Sequence, residues 1–470
     1  MPDMSQKFSH RFEPTVLREY DIRGIYEKTL HVADARAVGR AFGTIVRRNG
    51  GRTVAIGRDG RLSSPVLAPA LIEGVTDAGI DVVDIGVCAT PMLYFAVYHL
   101  QADGGIMLTG SHNPSDYNGF KMMLGKKSFF GQDIQKLGAM AGAGDVESGK
   151  GSVRQQSVLD AYVDRVVQGY DGVRAQNVVW DIGNGAVGVN IAKVIAKLPG
   201  KHILLNEEVD GRFPAHHPDP TVAKNLEQLQ QEVTQRGFDL GIAFDGDGDR
   251  IGVVDNKGRI LWGDQFLVFL AQDVLKKYPG ATIIADVKAS QVLFDEVARA
   301  GGKPEMWKTG HSLIKTRMAE TGAPLAGEMS GHIFYADGWY GFDDALYAGI
   351  RLLGVLGRSP KSLSELRDGL PNVVNTPELR FDCDEAQKFT IVDKVRDYVK
   401  KQNADVSTID GVRVNTDDGW WLLRASNTQA VLVARCEARD EAGLERLRQQ
   451  LKTALKSAGM EMPDNPSAGH

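Results

Sequence analysis

Four short polar segments carry side chains of the right type and spacing for chemistry. Thr109-Gly110-Ser111-His112-Asn113-Pro114 offers a hydroxyl on a turn, and Asp245-Gly246-Asp247-Gly248-Asp249-Arg250 alternates three carboxylates with glycines. Gly327-Glu328-Met329-Ser330-Gly331-His332 sets a carboxylate, a hydroxyl and an imidazole at alternate positions. Arg424-Ala425-Ser426-Asn427-Thr428 is basic and rich in hydroxyls. In order, these are candidates for a nucleophile, a metal loop, a sugar-hydroxyl reader and an anion cradle.

Gly110 permits an unusual backbone angle and Pro114 stiffens the exit, so Ser111 can be presented for phosphoryl transfer. His112 and Asn113 could hydrogen-bond the transferred group. Lys121, in Asn118-Gly119-Phe120-Lys121, is expected on a returning strand, where it could neutralise charge or take a proton. An acyl-transfer serine fits poorly. The nucleophile elbow needs glycine two residues to either side, and Thr109 and Asn113 stand there. The bland alternative is an ordinary turn.

Glycines between Asp245, Asp247 and Asp249 let the carboxylates converge, and such close negative charges call for a cation. A hard divalent ion with oxygen ligands, Mg²⁺ above all, suits them and leaves room for a phosphate oxygen. A calcium loop needs glycine at its sixth position and glutamate at its twelfth, where Arg250 and Asn256 stand. An aspartyl nucleophile at Asp245 or Asp247 would leave the third carboxylate and Ser111 without a role. A solvated acidic turn is the plain alternative. Arg250 could orient the ligands or a phosphate.

Glu328 and Ser330, two apart on an extended segment, would face one side with His332 and read neighbouring sugar hydroxyls. Arg424 can grip a phosphate through two parallel hydrogen bonds, helped by the turn's backbone N–H groups. Lys288, Lys308-Thr309-Gly310-His311 and Arg23 of Tyr20-Asp21-Ile22-Arg23-Gly24 add cations near strand ends. One further pattern, Gly183-Asn184-Gly185-Ala186-Val187-Gly188 with Glu207 and Glu208 downstream, matches a dinucleotide fingerprint. A chain with 53 glycines meets it easily by chance. A tight strand-to-helix turn explains it without hydride chemistry.

The elements that must position these loops alternate in a βαβ rhythm. Strands are expected at 53–57, 81–87, 104–109, 177–181, 282–285 and 305–309. A helix is expected from Ser63-Ser64-Pro65, with serine as its cap. This pattern predicts a mostly parallel sheet with helices on both faces. The runs 106–109, 240–244 and 324–327 each end in a polar loop, as ligand sites of open α/β sheets do. Residues 368–375 read as a linker. Strands at 378–382, 411–415, 420–424 and 430–434 then surround a helix at 385–401, and a last helix starts near Glu441, giving a small α+β unit.

Bulk properties agree with several soluble cores. The 470 residues are 43% hydrophobic and 24% charged, enough for roughly three or four units. Fifty-five basic against 60 acidic residues, net −5, argue against a nucleic-acid partner held by bulk charge. Cys88, Cys383 and Cys436 are expected as free thiols in a reducing compartment. No signal peptide or apolar span is visible, so a cytoplasmic protein away from membranes is expected.

Together the motifs Tyr20–Gly24, 109–114, 245–250, 327–332 and 424–428 resemble, in order and over essentially the whole chain, the α-D-phosphohexomutase superfamily. They are most similar to its bifunctional phosphomannomutase/phosphoglucomutase branch. The resemblance implies four α/β domains around a central cleft: three similar mixed α/β domains and a C-terminal α+β cap. The corresponding boundaries are 1–157 with the phosphoserine, 158–260 with the metal, 261–370 reading the sugar and 371–470 capping the phosphate. It implies that Ser111 is the phosphoserine and that Asp245, Asp247 and Asp249 bind Mg²⁺ with a phosphoserine oxygen. Glu328 and Ser330 would read hydroxyls, and Arg424, Ser426, Asn427 and Thr428 would hold the phosphate that is not transferred. Arg23, His112, Lys121, Arg250, His311 and His332 would surround the transfer site, and Tyr20, Lys288 and Gly310 would contact substrate. The implied reaction moves phosphate between the 1- and 6-positions of mannose or glucose through a hexose 1,6-bisphosphate, which also serves as activator. A monomer is expected. Met329 tilts the reading from the glucosamine-phosphate branch, where glutamine is usual. A phosphoglucosamine mutase, a phosphosugar phosphatase and a binding protein remain the alternatives.

Overall fold

The computed structural model describes residues 8–427, 429–462 and the backbone of 467–468. Four sheets follow one another along the chain. In the first, Gly104–Leu108 lies parallel to Thr53–Arg58 and antiparallel to Tyr117–Leu124. In the second, Leu240–Phe244 lies parallel to Val178–Asp181 and antiparallel to Ile251–Asp255. In the third, Leu325–Gly327 lies parallel to Thr282–Asp286 and antiparallel to Ile333–Tyr335. The same device thus recurs three times: an inner strand delivers a loop, and an antiparallel neighbour takes the chain back. These sheets are therefore mixed rather than mostly parallel, because each functional loop is a hairpin connection.

The fourth sheet is antiparallel throughout its pairings, with Gly419–Ala425 beside Val431–Ala438 and helices Lys388–Lys401 and Glu441–Ser457 against it. Residues 368–375 are not a plain linker. Asp368 ends the helix Leu363–Asp368, and Val374–Asn375 pairs with Val431–Ala438. The strand expected at 305–309 is Lys303–Trp307, because the helix His311–Thr321 begins soon after.

Residues of the first three units share one continuous apolar core, from Val83 through Trp180 and Phe244 to Leu325. Helix Ala345–Arg358, reached from the third sheet, packs back on the second: a Cβ on Gly349 would lie 3.3 Å from Ile242. The fourth unit has its own core and meets the third through both buried polar groups and apolar side chains. Arg413 donates to Val287 O and Ala289 O at 2.8 and 2.9 Å while its guanidinium stacks 3.7 Å from the Trp420 ring. Val287, Trp420 and Leu422 form a small apolar cluster across the same contact. Among the described residues no helix is long and apolar enough to cross a membrane.

Candidate active site

The serine loop leaves the end of Gly104–Leu108. Ser111 has φ +49° and is 2% exposed. Its Oγ lies 3.1 Å from His112 Nδ1 and 3.2 Å from Asp245 Oδ2, and its N–H donates to Thr109 Oγ1. Ser63, expected to cap the next helix through its side chain, makes no such bond. Ser63 and Ser64 instead accept from the Asn118 amide, and Ser64 donates to Asp59, so these hydroxyls brace the loop's neighbours.

Asp245, Asp247 and Asp249 are fully buried, with ligand oxygens within 4.8 Å of one another. Asp245 Oδ1 accepts the N–H groups of Gly248, Asp249 and Arg250 and so shapes the loop, leaving Oδ2 toward Ser111. Asp247 Oδ2 accepts from Thr90, Thr109 and Lys121 at 2.5, 3.3 and 2.7 Å. Lys121 also pairs with Asp249. Asp247 Oδ1 and Asp249 Oδ1 are buried with no hydrogen bond among the described residues, although His332 Nε2 stands 3.3 Å from the latter. Orphaned buried carboxylate oxygens aimed at one point are what a divalent cation would satisfy.

Burial and the other two carboxylates push Asp245 well above the usual carboxylate range. Burial also opposes charge on Asp249, but Lys121 and His332 outweigh it and hold this carboxyl well below that range. Burial opposes the Lys121 ammonium too, yet the aspartates win and raise its pKa. Lys121 is therefore a fixed positive charge.

Glu328, Ser330 and His332 converge, but not by strand alternation. Residues 328–331 form a turn closed by Gly331 N–H to Glu328 O. His332 Nδ1 lies 3.0 Å from Glu328 Oε2 and 3.1 Å from Ser330 Oγ, while Glu328 Oε1 accepts from Gly310 N–H at 2.6 Å. Burial would lower His332, but Asp249 and Glu328 raise it to about 9. His311, stacked 5.7 Å from His332, is held well below the usual imidazole value by burial and by Lys315 and Lys121. Burial, with Arg250 and Arg23 nearby, does the same to His112.

Arg424 Nε donates to Asp410 Oδ2, which also accepts Thr309 N–H. Ser426 Oγ accepts Gln429 N–H, and the Asn427 amide donates to Tyr20 Oη. Thr428 lies outside the described residues. Lys288 pairs with Glu378 at 3.0 Å, which ties the third unit to the fourth. Arg23 donates to Asp21 and to Asn113 Oδ1, beside the serine loop, and Arg250 Nε lies 3.4 Å from His332 Nε2.

Several participants escaped the sequence reading. Thr90 joins Thr109 of the serine motif in aiming Asp247, Asp286 accepts Met329 N–H, Asp410 holds Arg424, and Asp59 with Arg61 underlies the serine loop. Only Asp59-Gly60-Arg61 carried a local hint, a charged turn at the end of the strand Thr53–Arg58. The glycine fingerprint at 183–188 supports the metal loop: Ala186 N–H donates to Gly246 O at 2.9 Å. Glu207 and Glu208, the acids a ribose would need, are exposed.

Four profiles of the phosphoglucomutase/phosphomannomutase family match in order. The alpha/beta/alpha domains I, II and III match residues 14–140, 160–258 and 262–374, and the C-terminal domain matches 378–454. A phosphomannomutase/phosphoglucomutase of Pseudomonas putida is 46% identical over 94% of this chain and 95% of its own. A phosphoglucomutase of Neisseria gonorrhoeae is 44% identical over 94% and 97%. The crystal structure of a phosphoglucomutase/phosphomannomutase family protein from Burkholderia thailandensis superposes with TM-score 0.90 at 45% identity, covering 95% of this chain and 98% of that one. These matches span nearly the whole chain, and the chain belongs to the phosphoglucomutase/phosphomannomutase family of α-D-phosphohexomutases.

Proposed function

We propose that this enzyme interconverts hexose 1- and 6-phosphates by passing a phosphoryl group through Ser111. The observation that carries the reading is Ser111 Oγ at 3.2 Å from Asp245 Oδ2, beside two carboxylate oxygens that have no hydrogen bond among the described residues. A phosphoryl group on that hydroxyl would face three carboxylates, which is tolerable only with a cation between them. Asp245, Asp247 and Asp249 would hold Mg²⁺ together with an oxygen on Ser111. Mg²⁺ bound there would supply charge neutralisation to the phosphoryl oxygens.

Lys121, Arg23 and Arg250 supply further positive charge around the phosphoryl group. His112 hydrogen-bonds near the Ser111 oxygen. Neutral His311 suits acceptance of the proton from the attacking sugar hydroxyl, whereas charged His332 orients Glu328 and Ser330 toward the hydroxyls they read. Arg424, Ser426, Asn427 and Thr428 grip the phosphate that stays, with Tyr20, Lys288 and Gly310 along the same wall. The bisphosphate then turns over, the cradle receives its other end, and the second phosphate returns to Ser111. Residues 1–157, 158–260, 261–370 and 371–470 divide these tasks in the order serine, metal, sugar, cradle. One chain carries all four, so a monomer suffices. Free thiols at Cys88, Cys383 and Cys436 suit a reducing cytoplasm.

Phosphorus NMR tests the reading with Mg²⁺, a trace of glucose 1,6-bisphosphate, and mannose or glucose 1-phosphate. The 6-phosphate should grow without free phosphate. Stoichiometric free phosphate would make the enzyme a phosphatase, and no change with either sugar would refute both substrates.

A further inference from the structure

Arg61 is 1% exposed and lies directly behind the serine loop. A guanidinium has five N–H donors, and here every one has an acceptor. Nε donates to Asp59 Oδ2 at 3.2 Å. Nη2 donates to Ser111 O and Asn113 O at 2.7 and 2.6 Å, and Nη1 to Tyr117 O at 3.0 Å and to Pro114 O. Asp59 completes the clamp by accepting Gly110 N–H at 3.1 Å. The fit is flush: a Cβ on Gly110 would lie 2.5 Å from Arg61 Cζ. The Phe213 ring of the second unit, held at φ +51°, stands 5.1 Å from the same carbon.

We propose that Arg61 is the positioning residue of phosphoryl transfer, drawing the loop carbonyls inward so that Ser111 Oγ and the His112 N–H face the metal loop. The proposal rests on the role of Ser111 proposed above. In a trans peptide the C=O and the following N–H point in opposite directions. With Ser111 O turned toward Arg61, His112 N–H is turned away from it, and among the described residues it has no hydrogen-bond partner. It is therefore free to donate to a phosphoryl oxygen on Ser111. The clamp also holds a serine at positive φ, a conformation that L-residues other than asparagine and aspartate seldom keep. Lysine has the charge but only three donors from one point, so it cannot span the carbonyls of Ser111 and Tyr117 together. Phe213 adds a link by which the metal-bearing unit bears on the serine-bearing one.

The test compares wild type with Arg61→Lys, measuring mutase kcat and KM and the rate at which glucose 1,6-bisphosphate phosphorylates Ser111, read by intact mass. We expect kcat and the phosphorylation rate to fall together by about 100-fold with KM nearly unchanged, since a misplacement of about 1 Å is enough for such a loss. A folded Arg61→Lys enzyme with wild-type kcat and a lowered melting temperature overturns the proposal and leaves Arg61 a plain core ion pair. Should Arg61→Lys not fold, Asp59→Asn keeps the guanidinium but weakens its aim, and the same paired fall or its absence decides. Wild-type protein that never phosphorylates Ser111 would refute the serine mechanism itself, a separate outcome.

Discussion

The Asn427 amide donates a 2.7 Å hydrogen bond to Tyr20 Oη across 407 positions of sequence. Tyr20 Oη in turn donates to Thr309 O at 2.8 Å, so one phenol joins the first, third and fourth units over the cleft. Burial raises the Tyr20 hydroxyl to about 12. Tyr20→Phe removes both bonds and leaves the ring. At ~1 kcal/mol for each bond, kcat/KM should fall about 5- to 30-fold. Hydrogen exchange around Asn427 should quicken as the cap opens. Unchanged kinetics and exchange would show that the phenol does not hold the cleft.

Asp247 has one oxygen saturated by Thr90, Thr109 and Lys121 and the other buried with no hydrogen bond among the described residues. Asp247→Asn removes a charge without changing shape. Calorimetric Mg²⁺ affinity should drop at least about tenfold, and turnover should become dependent on high Mg²⁺. Wild-type affinity in this variant would place the cation elsewhere.

Asp344 caps the helix Ala345–Arg358 by accepting Tyr347 N–H, and it receives the Tyr162 hydroxyl at 2.9 Å. Burial raises its carboxyl to about 7. The unfolded carboxyl titrates near 4, so between about pH 4 and 7 the folded state binds more protons and stability falls as pH rises. The loss is complete above about pH 7 and is on the order of 4 kcal/mol. Asp344→Asn keeps the cap and removes the titration. The melting temperature of the variant relative to wild type should climb from pH 5 to 7 and level off above 8. A constant difference would show that Asp344 ionises normally.

Gly331 sits at φ +89°, and a Cβ there would meet Ile251 O at 2.4 Å. Its carbonyl accepts Ile251 N–H, which bolts the 328–332 loop to the strand leaving the aspartate loop. Gly331→Ala must strain that backbone or separate the strands, at a cost of about 1–3 kcal/mol. The melting temperature should fall, and KM for the hexose phosphate should rise as Glu328 and Ser330 shift. A stable variant with normal KM would mean that the two loops are not rigidly coupled.

Reactive groups whose partners lie close along the chain are legible without the fold. Three aspartates at alternate positions with glycines between them can converge within one short loop, and Thr109–Pro114 marks a serine on a tight turn. The three loop-bearing strands were visible as short apolar runs, because a strand buried on both faces needs no help from distant residues to show itself. What the tertiary structure decided is which distant groups meet these loops. Arg61 reads as one more charged residue in a turn, and only the packing of Thr53–Arg58 beside Gly104–Leu108 puts it behind Ser111. Glu328, Ser330 and His332 meet through a turn whose shape depends on Gly331 packing on Ile251, so their spacing did not reveal the geometry. His311 and His332 are the same residue type, yet burial and nearby lysines hold the first neutral while two carboxylates outweigh burial and charge the second. Each charge belongs to the surroundings of the ring, and those are assembled only when the units close on one another.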